Sequence, residues 1–389
     1  MVSSVTTLTL KCAEVDSSPP RTTRISLPFT KPQSFSMALV GLAVLVLPGF
    51  SATMARANGV PREAMAHSVQ SRAEMPLRGT PCRVFPRNNV WNTPITSLPV
   101  NAMSSTWLAS MSASSANLHP DYGPSGNPLS PYGIPWTVVS IKTVFTHISF
   151  QNASESDQRP YPLNGSTPIE TGSDRHALMV DPRASATSAA CTLFETYATT
   201  FRPGGRSTAG SGATWNLGSN ALRPAGHTSA DAAGLPILPG LVNFDEVSAG
   251  TLNHAIRFTA QCTQRSFLWP ARHQAGQANT QCPPMGARFR LNSSFSLPMS
   301  TCNRLCQTVV TAMKTYGLIL ADNGSNWFFQ GTADRRWTYS EVDQLKQIPA
   351  AQFVAIDESC LMVNANSGQA LQPGTTAYVN KCGSTGFGG

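Results

Sequence analysis

Short apolar runs with polar residues between them recur through the central part of the chain. The run at 136–145 (WTVVSIKTVF) is rich in β-branched residues, and the runs at 176–181 and 191–199 flank a turn of small residues. Apolar runs bounded by Gly, Pro, Asn and Ser are typical of strands joined by turns. Further runs of this kind lie at 214–217, 241–247, 254–260, 266–271 and 287–295. The pattern predicts a mainly β domain of the β-sandwich or jelly-roll type.

One longer stretch has helical periodicity instead. Apolar side chains recur every three or four residues from 301 to 316, with Ser300 suited to be its N-cap and Gly317 its stop. This predicts one α-helix packed on the β-rich domain. The segment 318–330 has two apolar runs around an Asp-Asn-Gly-Ser turn, which predicts a β-hairpin.

The N-terminal region has the pattern of an export signal over residues 1–57. An apolar run at 38–47 is followed by small residues and an Ala-Arg-Ala site before Asn58. The run is shorter than the ~20 residues needed to cross a bilayer, so we expect a removable signal. For the residues before Met37, three interpretations stay open: a long basic n-region, a true start at Met37, or a transit peptide.

Composition supports a soluble domain after this signal. We expect a polar linker at 58–80, a single β-rich domain at 82–370 and a Gly-rich tail at 371–389. Charged residues make up 12% of the chain, about half the usual ~25%, and the basic ones are scattered. We therefore expect no nucleic-acid partner and, once the signal is removed, no membrane partner.

Eight of the nine cysteines follow the predicted signal. An even number in an exported chain predicts up to four disulfides. Cys262–Cys282 and Cys360–Cys382 would close local loops. Because Cys302 and Cys306 are one helical turn apart, we expect them to pair elsewhere, with Cys82 and Cys191. A zinc site at Cys302 and Cys306 is the alternative, but no clustered His supports it.

The chain has none of the GxSxG, HExxH, P-loop, GxGxxG or EF-hand motifs. Its candidate chemistry lies in a polar block at 172–273. His176 is predicted to share a strand face with residues 178 and 180. Glu195 has apolar neighbours that would raise its pKa, which suits a general acid. The alternative is that Glu195 is the solvent-facing residue of an alternating strand.

Two further groups belong to the same block. Asp231 lies in a loop of small and hydroxyl residues that would let a ligand approach the backbone, or else it organises that loop as an Asx turn. Glu246 and His254 flank Gly250, which resembles a hairpin turn, so they are expected to face one another. A structural hydrogen-bond network explains this pair equally well.

Four longer segments combine small, polar and aromatic residues in a distinctive order. They are TSADAAGLPILPGLVNFDEVSAGTLNHAIRF (228–258), FLWPARH (267–273), PPMGARFRL (283–291) and YGLILADNGSNWFFQG (316–331). These motifs resemble a group of secreted bacterial proteins that also occurs in actinobacteria, in some members beside carbohydrate-binding modules. The resemblance covers residues 85–367 and implies an extracellular role linked to carbohydrates. It assigns no catalytic residue, because the group has no established activity.

The leading hypothesis is a secreted or periplasmic carbohydrate-active enzyme, either a glycoside hydrolase or a polysaccharide lyase. Its substrate would be an extracellular polysaccharide or cell-wall glycan. The candidate catalytic residues are Glu195, Asp231, Glu246, His176 and His254. Several Trp side chains could stack on sugars. No cofactor is expected, and a metal held by His176, Asp181 and His254 is a weaker alternative. A non-catalytic polysaccharide-binding domain and a purely structural surface protein remain the competing readings.

Overall fold

The computed structural model describes residues 75–127, 129–183 and 191–383. Strand residues outnumber helical ones, so the expected mainly β class is confirmed. The predicted export signal and residues 58–74 of the predicted linker lie outside the described residues. No helix in the described part of the chain has the length and apolar character needed to cross a membrane.

The described residues form fourteen strands and five α-helices. The strands are β1 (His119–Asp121), β2 (Trp136–Val138), β3 (Ser149–Phe150), β4 (Ala177–Asp181), β5 (Thr192–Tyr197), β6 (Thr208–Ala209), β7 (Ser211–Asn216), β8 (Ile256–Ala260), β9 (Gln264–Phe267), β10 (Pro284–Met285), β11 (Arg288–Leu291), β12 (Leu318–Asn323), β13 (Phe328–Gln330) and β14 (Phe353–Ile356). The α-helices are α1 (Ser104–Ser110), α2 (Phe244–Ala249), α3 (Arg304–Thr315), α4 (Tyr339–Leu345) and α5 (Thr376–Cys382).

Two mixed sheets make up most of the architecture. The larger has six strands in the order β1-β13-β8-β12-β11-β14, and the smaller has four in the order β2-β4-β5-β7. The pairs β8–β12 and β2–β4 are parallel, whereas β4–β5 and β5–β7 are antiparallel. Two short parallel pairs, β3–β6 and β9–β10, complete the strand pairing.

The four-stranded sheet is covered on both faces. Leu178 and Val180 of β4 belong to the main core, while Ala177 and Met179 belong to a smaller core on the other side. Strands buried on both faces need apolar side chains at successive positions. This explains why the sequence around β4 is continuously apolar.

The predicted helix is confirmed as α3, with a later start. Asn303, not Ser300, is its N-cap, because the Asn303 side chain accepts a hydrogen bond from the Cys306 N–H at 3.1 Å. The helix buries Val309 and Met313 against the core. This apolar stripe is the one that the sequence pattern identifies.

The prediction of a strand at 241–247 is wrong, because helix α2 begins within this segment, at Phe244. Asn243 caps this helix by accepting from the Asp245 N–H, and Asp245 and Glu246 lie in its first turn. Acidic residues there are stabilised by the helix dipole. Gly250 adopts the left-handed conformation (φ 73°) that ends helices, so it is a C-cap and not a hairpin turn.

The hairpin expected at 318–330 is also wrong. Strands β12 and β13 do not pair, because β8 lies between them in the sheet. The chain leaving the turn is fixed to β8 by hydrogen bonds from the Gly324 N–H to the Ala260 carbonyl and from the Trp327 N–H to the Thr259 carbonyl. A local turn signal does not specify which strand is the partner.

Four disulfides link the described residues. Cys262–Cys282 and Cys360–Cys382 form as predicted. The other pairing is wrong, since Cys302 bonds Cys306 and Cys82 bonds Cys191. Cys302 lies in the turn before α3, and its Cα is 5.1 Å from that of Cys306, within the range that a disulfide spans. The Cys82–Cys191 bond ties the start of the described chain to β5.

Glu195 joins the smaller sheet to the loop that follows residue 235. Its buried carboxylate accepts hydrogen bonds from the backbone N–H groups of Ile237 (3.0 Å) and Leu238 (2.9 Å) and from the Trp215 indole (3.1 Å). Burial raises the pKa of Glu195 to about 7, against the opposing effect of these donors. Glu195 is therefore an internal connector, with no exposed surface.

The two corrected disulfides should differ in their contribution to stability. In the loop-entropy model, Cys82–Cys191 closes a separation of 109 residues and Cys302–Cys306 one of four. Their replacement by Ser pairs should lower the free energy of unfolding by about 5 and about 2 kcal/mol respectively. Denaturant unfolding of the two double variants measures this order. A larger loss for the Cys302–Cys306 pair would contradict it.

Glu195→Gln should destabilise the fold by about 2–3 kcal/mol. The amide NH₂ would face N–H donors, which leaves buried groups unsatisfied. Glu341→Gln is the matched control, because Glu341 belongs to the capping box of α4 and a Gln also serves there. Thermal unfolding compares the two variants, and equal stability would show that the Glu195 carboxylate is not needed.

Candidate functional site

An open pocket of about 330 Å³ lies where the two sheets meet the loop at 228–232. We name it the acidic pocket. Asp174, Tyr197, Asp231 and Asp322 are among its lining residues, with His273 on the same wall. Three of these side chains are carboxylic acids. The pocket therefore brings three carboxyl groups, a Tyr and a His to one concave surface.

The smaller sheet brings one row of side chains to this pocket. In the register of β5 and β7, Tyr197 lies opposite Ser211, and both line the pocket. His176 immediately precedes β4, and its ring centroid is 5.8 Å from that of Tyr197. Along β5, Leu193, Glu195 and Tyr197 share a face because strand side chains alternate. The face therefore changes from apolar core to polar pocket within five residues.

A β-bulge in the larger sheet brings Asp322 to the same pocket. Ile319 lies opposite Arg257, but the register then shifts so that Asp322 lies opposite Thr259. The extra residue, Ala321, turns Asp322 onto the face of Arg257. The Ala321 carbonyl accepts a hydrogen bond from the Ala233 N–H of the neighbouring loop.

A buried ion pair lies beneath the pocket. Arg257 donates to Asp231 from Nε (3.1 Å) and Nη2 (2.7 Å), and the two side chains are 2% and 0% exposed. The same Nη2 lies 3.6 Å from the Asp322 carboxyl group. Breaking a buried pair of this kind leaves an uncompensated charge in the interior. Asp231 is thus placed to hold Arg257, and it is not exposed to a ligand in this arrangement.

Asp322 is the carboxyl group of this cluster that reaches the pocket, with 22% of its side chain exposed. Burial and the negative charge of Asp231 raise the pKa of Asp322 to about 8, although Arg257 and His176 act in the opposite direction. The surroundings therefore favour the protonated form of Asp322. A protonated carboxyl beside a pocket is what a general acid requires.

His176 and Glu170 form a second pair behind the pocket. The His176 Nδ1 is 2.6 Å from the Glu170 carboxylate. Burial alone would lower the pKa of His176, but the hydrogen bond and charge of Glu170 raise it above its usual value. Its Nε2 is buried and has no hydrogen-bond partner among the described residues. Glu170 thus favours the protonated imidazole of His176, close to Arg257 and Asp322.

The five predicted site residues separate into three places. Asp231 and His176 lie in the cluster around Arg257, and Glu195 is buried next to it. Glu246 and His254 contact each other at 3.3 Å, as expected, but they line a different cavity of about 20 Å³ beside Met75. That cavity is too small for a sugar.

The sequence pattern does not identify Asp322, Glu170 or Tyr197 as functional candidates. Asp322 was assigned to a turn, and no pattern marked Glu170 at all. The position of Asp322 at the pocket depends on the bulge at Ala321, and the alternation of apolar and polar residues along a strand does not reveal a bulge. The Trp residues considered as sugar platforms are mostly core: Trp91, Trp215, Trp327 and Trp337 are each at most 4% exposed.

No group of three or more His, Cys, Asp or Glu side chains is placed to hold a metal ion within residues 75–127, 129–183 and 191–383. The metal site considered for His176, Asp181 and His254 is therefore wrong. Asp181 instead pairs with Arg183 at 2.8 Å, and His254 contacts Glu246.

Glu170→Gln should lower the pKa of His176 below its usual value. The burial of the ring and the charge of Arg257 both act in this direction once the carboxylate is gone. Titration of the His176 imidazole resonances by NMR, in the variant and in the wild type, measures the change. An unchanged His176 titration would show that Glu170 does not control its charge.

Comparison with protein-family models, curated proteins and solved structures finds no match for this chain. The acidic pocket itself therefore carries the functional argument.

Proposed function

We propose that the protein is a secreted glycoside hydrolase that acts on an extracellular polysaccharide, with Asp322 as its general acid. The observation that supports this most directly is the Asp322 carboxyl in an open pocket, next to the buried Asp231–Arg257 pair, where burial and the charge of Asp231 raise its pKa. Cleavage of a glycosidic bond needs such a proton donor for the departing sugar oxygen.

Hydrolysis also needs a second, ionised carboxylate. Asp174 is exposed and lines the same pocket. Burial and then the charges of Asp174 and Asp322 raise the pKa of Tyr197, so both carboxyl groups lie within electrostatic reach of its hydroxyl. We assign Asp174 as the nucleophile or the base that activates water. In this assignment Tyr197, which lines the same pocket, orients the sugar.

The neighbouring charged groups affect the pKa of Asp322. Asp231 already satisfies the Arg257 guanidinium through two hydrogen bonds. Arg257 is therefore less able to ionise Asp322, and the Asp231 charge itself favours the protonated form. In this proposal Asp231, Arg257, His176 and Glu170 are positioning residues that do not touch the substrate.

The charge of the pocket favours a hydrolase over a lyase for uronides. Its lining combines three carboxyl groups with one His, and the nearby Arg257 is already paired. No Arg or Lys is among the lining residues, so the carboxylate of a uronide would meet Asp174 without such a cation to pair with, whereas a neutral sugar needs no such partner. Hydroxyl and amide groups of Ser211, Thr228 and Asn323 line the pocket and suit hydrogen bonds to sugar hydroxyls.

We also propose that the protein is exported and that its two main sheets pack as a sandwich. Four disulfides favour an oxidising compartment, and the resemblance to secreted bacterial proteins agrees with this. The support for the sandwich-like packing is that Leu193 of the smaller sheet and Phe258 and Leu320 of the larger belong to one core cluster.

Asp322→Asn should reduce kcat by about 10²- to 10⁴-fold, because Asn cannot donate the proton. Asn keeps an oxygen that accepts from the Asn323 N–H, a bond of 2.8 Å in the wild type, so the fold should survive. The wild-type activity should fall as pH rises through about 8, where Asp322 loses its proton. This basic limb should be absent from the residual activity of the variant.

The assay measures new reducing ends from neutral, amino-sugar and uronide polysaccharides, using the protein secreted into an oxidising compartment. Asp343→Asn, at an exposed site on α4, is the matched control and should act like the wild type. No reducing ends from any substrate would contradict the hydrolase. An active Asp322→Asn variant with an unchanged pH profile would remove Asp322 from the mechanism.

A further inference from the structure

A second concave surface, the basic groove, has a volume of about 710 Å³. It lies beside the loops that follow β2 and β5. The residues that matter for its chemistry are Lys142, Thr146, Asn164, Phe201, Arg202 and Ser207. The groove shares no lining residue with the acidic pocket.

The groove carries positive charge without compensation. Lys142 and Arg202 line it, Arg206 is exposed in the loop between its lining residues, and its lining includes no acidic side chain. Within the described part of the chain, none of these three cations has an ion pair. The nearby Asp181 is already neutralised by Arg183 at 2.8 Å. Cations left unpaired around one concavity favour an anionic occupant.

The other lining groups indicate what kind of anion fits. Hydroxyl and amide side chains of Thr146, Asn164 and Ser207 line the groove beside the half-buried ring of Phe201. Polar donors next to one aromatic ring suit a sugar chain. Ile141 and Val144 are exposed at 82% and 74% next to Lys142, which would suit a lipid surface instead. We give more weight to the groove, although Val144 also lines it, because a concave surface does not fit a flat membrane.

We propose that the basic groove binds an acidic polysaccharide without cleaving it, through Lys142 and Arg202. This site is independent of the hydrolysis proposed for the acidic pocket. Two chain segments, 197–201 and 207–211, each begin at one of the two sites and end at the other. Four residues of extended chain span at most about 14 Å. A glycan held in the groove is therefore kept close to the pocket.

The test compares binding of polygalacturonate and of neutral hydroxyethyl cellulose to the full secreted chain by affinity electrophoresis. The wild type should bind the acidic polymer only, and salt should weaken this binding. The double variant Lys142→Gln/Arg202→Gln should bind it about tenfold more weakly, since two exposed charge contacts are lost. Cleavage of other substrates should be unchanged.

The matched control is Arg265→Gln/Arg304→Gln, which removes the same charge from exposed residues outside the groove. It should bind like the wild type. An equal loss in both double variants would overturn the proposal in favour of general charge attraction. Absence of wild-type binding to polygalacturonate would overturn it as well. Binding to phosphatidylserine vesicles without binding to the polysaccharide would assign the surface to a lipid instead.

Discussion

The ion pair between Arg257 and Asp231 is the contact on which the site depends. A guanidinium inside a β-sheet has lost its water, so it needs a carboxylate with matching geometry, and Asp231 supplies this from a loop. The pair fixes that loop against β8. Gly234 makes the tight turn possible, because its φ is +67° and a Cβ there would lie 2.5 Å from the His227 carbonyl oxygen. The wall of the pocket is thus a consequence of charge burial.

Glu195 holds the same loop against β5 of the smaller sheet. Its carboxylate accepts hydrogen bonds from the backbone N–H groups of Ile237 and Leu238, which follow this loop. Separation of β5 from the loop would therefore leave these donors unpaired. Two buried carboxylates, one bound to a guanidinium and one to backbone, hold the same loop from both sheets. The protonated form of the neighbouring Asp322 is then favoured, because the Arg257 guanidinium already donates to Asp231.

The sequence identified elements wherever the local pattern decided the outcome. Strands β4, β5 and β8 and helix α3 follow from apolar periodicity, and two disulfides from loop length. The pattern does not predict helix α2, because the cap at Asn243 outweighs a short apolar run. The predicted pairing of β12 with β13 is wrong, because the partner of a strand is determined by the whole sheet. Asp231 and His176, which the sequence marks as catalytic candidates, lie in the cluster around Arg257, but as buried groups. The sequence does not identify Asp322 and Glu170, since only tertiary contacts give them their role.

The bulge at Ala321 also affects how chains of this kind should be compared with one another. A single inserted residue decides whether Asp322 or its neighbour lies beside Arg257, so the residue at the pocket depends on strand length as much as on residue type. Between diverged sequences, an alignment gap misplaced by one position would exchange the pocket carboxyl for a buried alanine. The inheritance of this site is therefore better traced by the pairing of β8 with β12 than by residue identity.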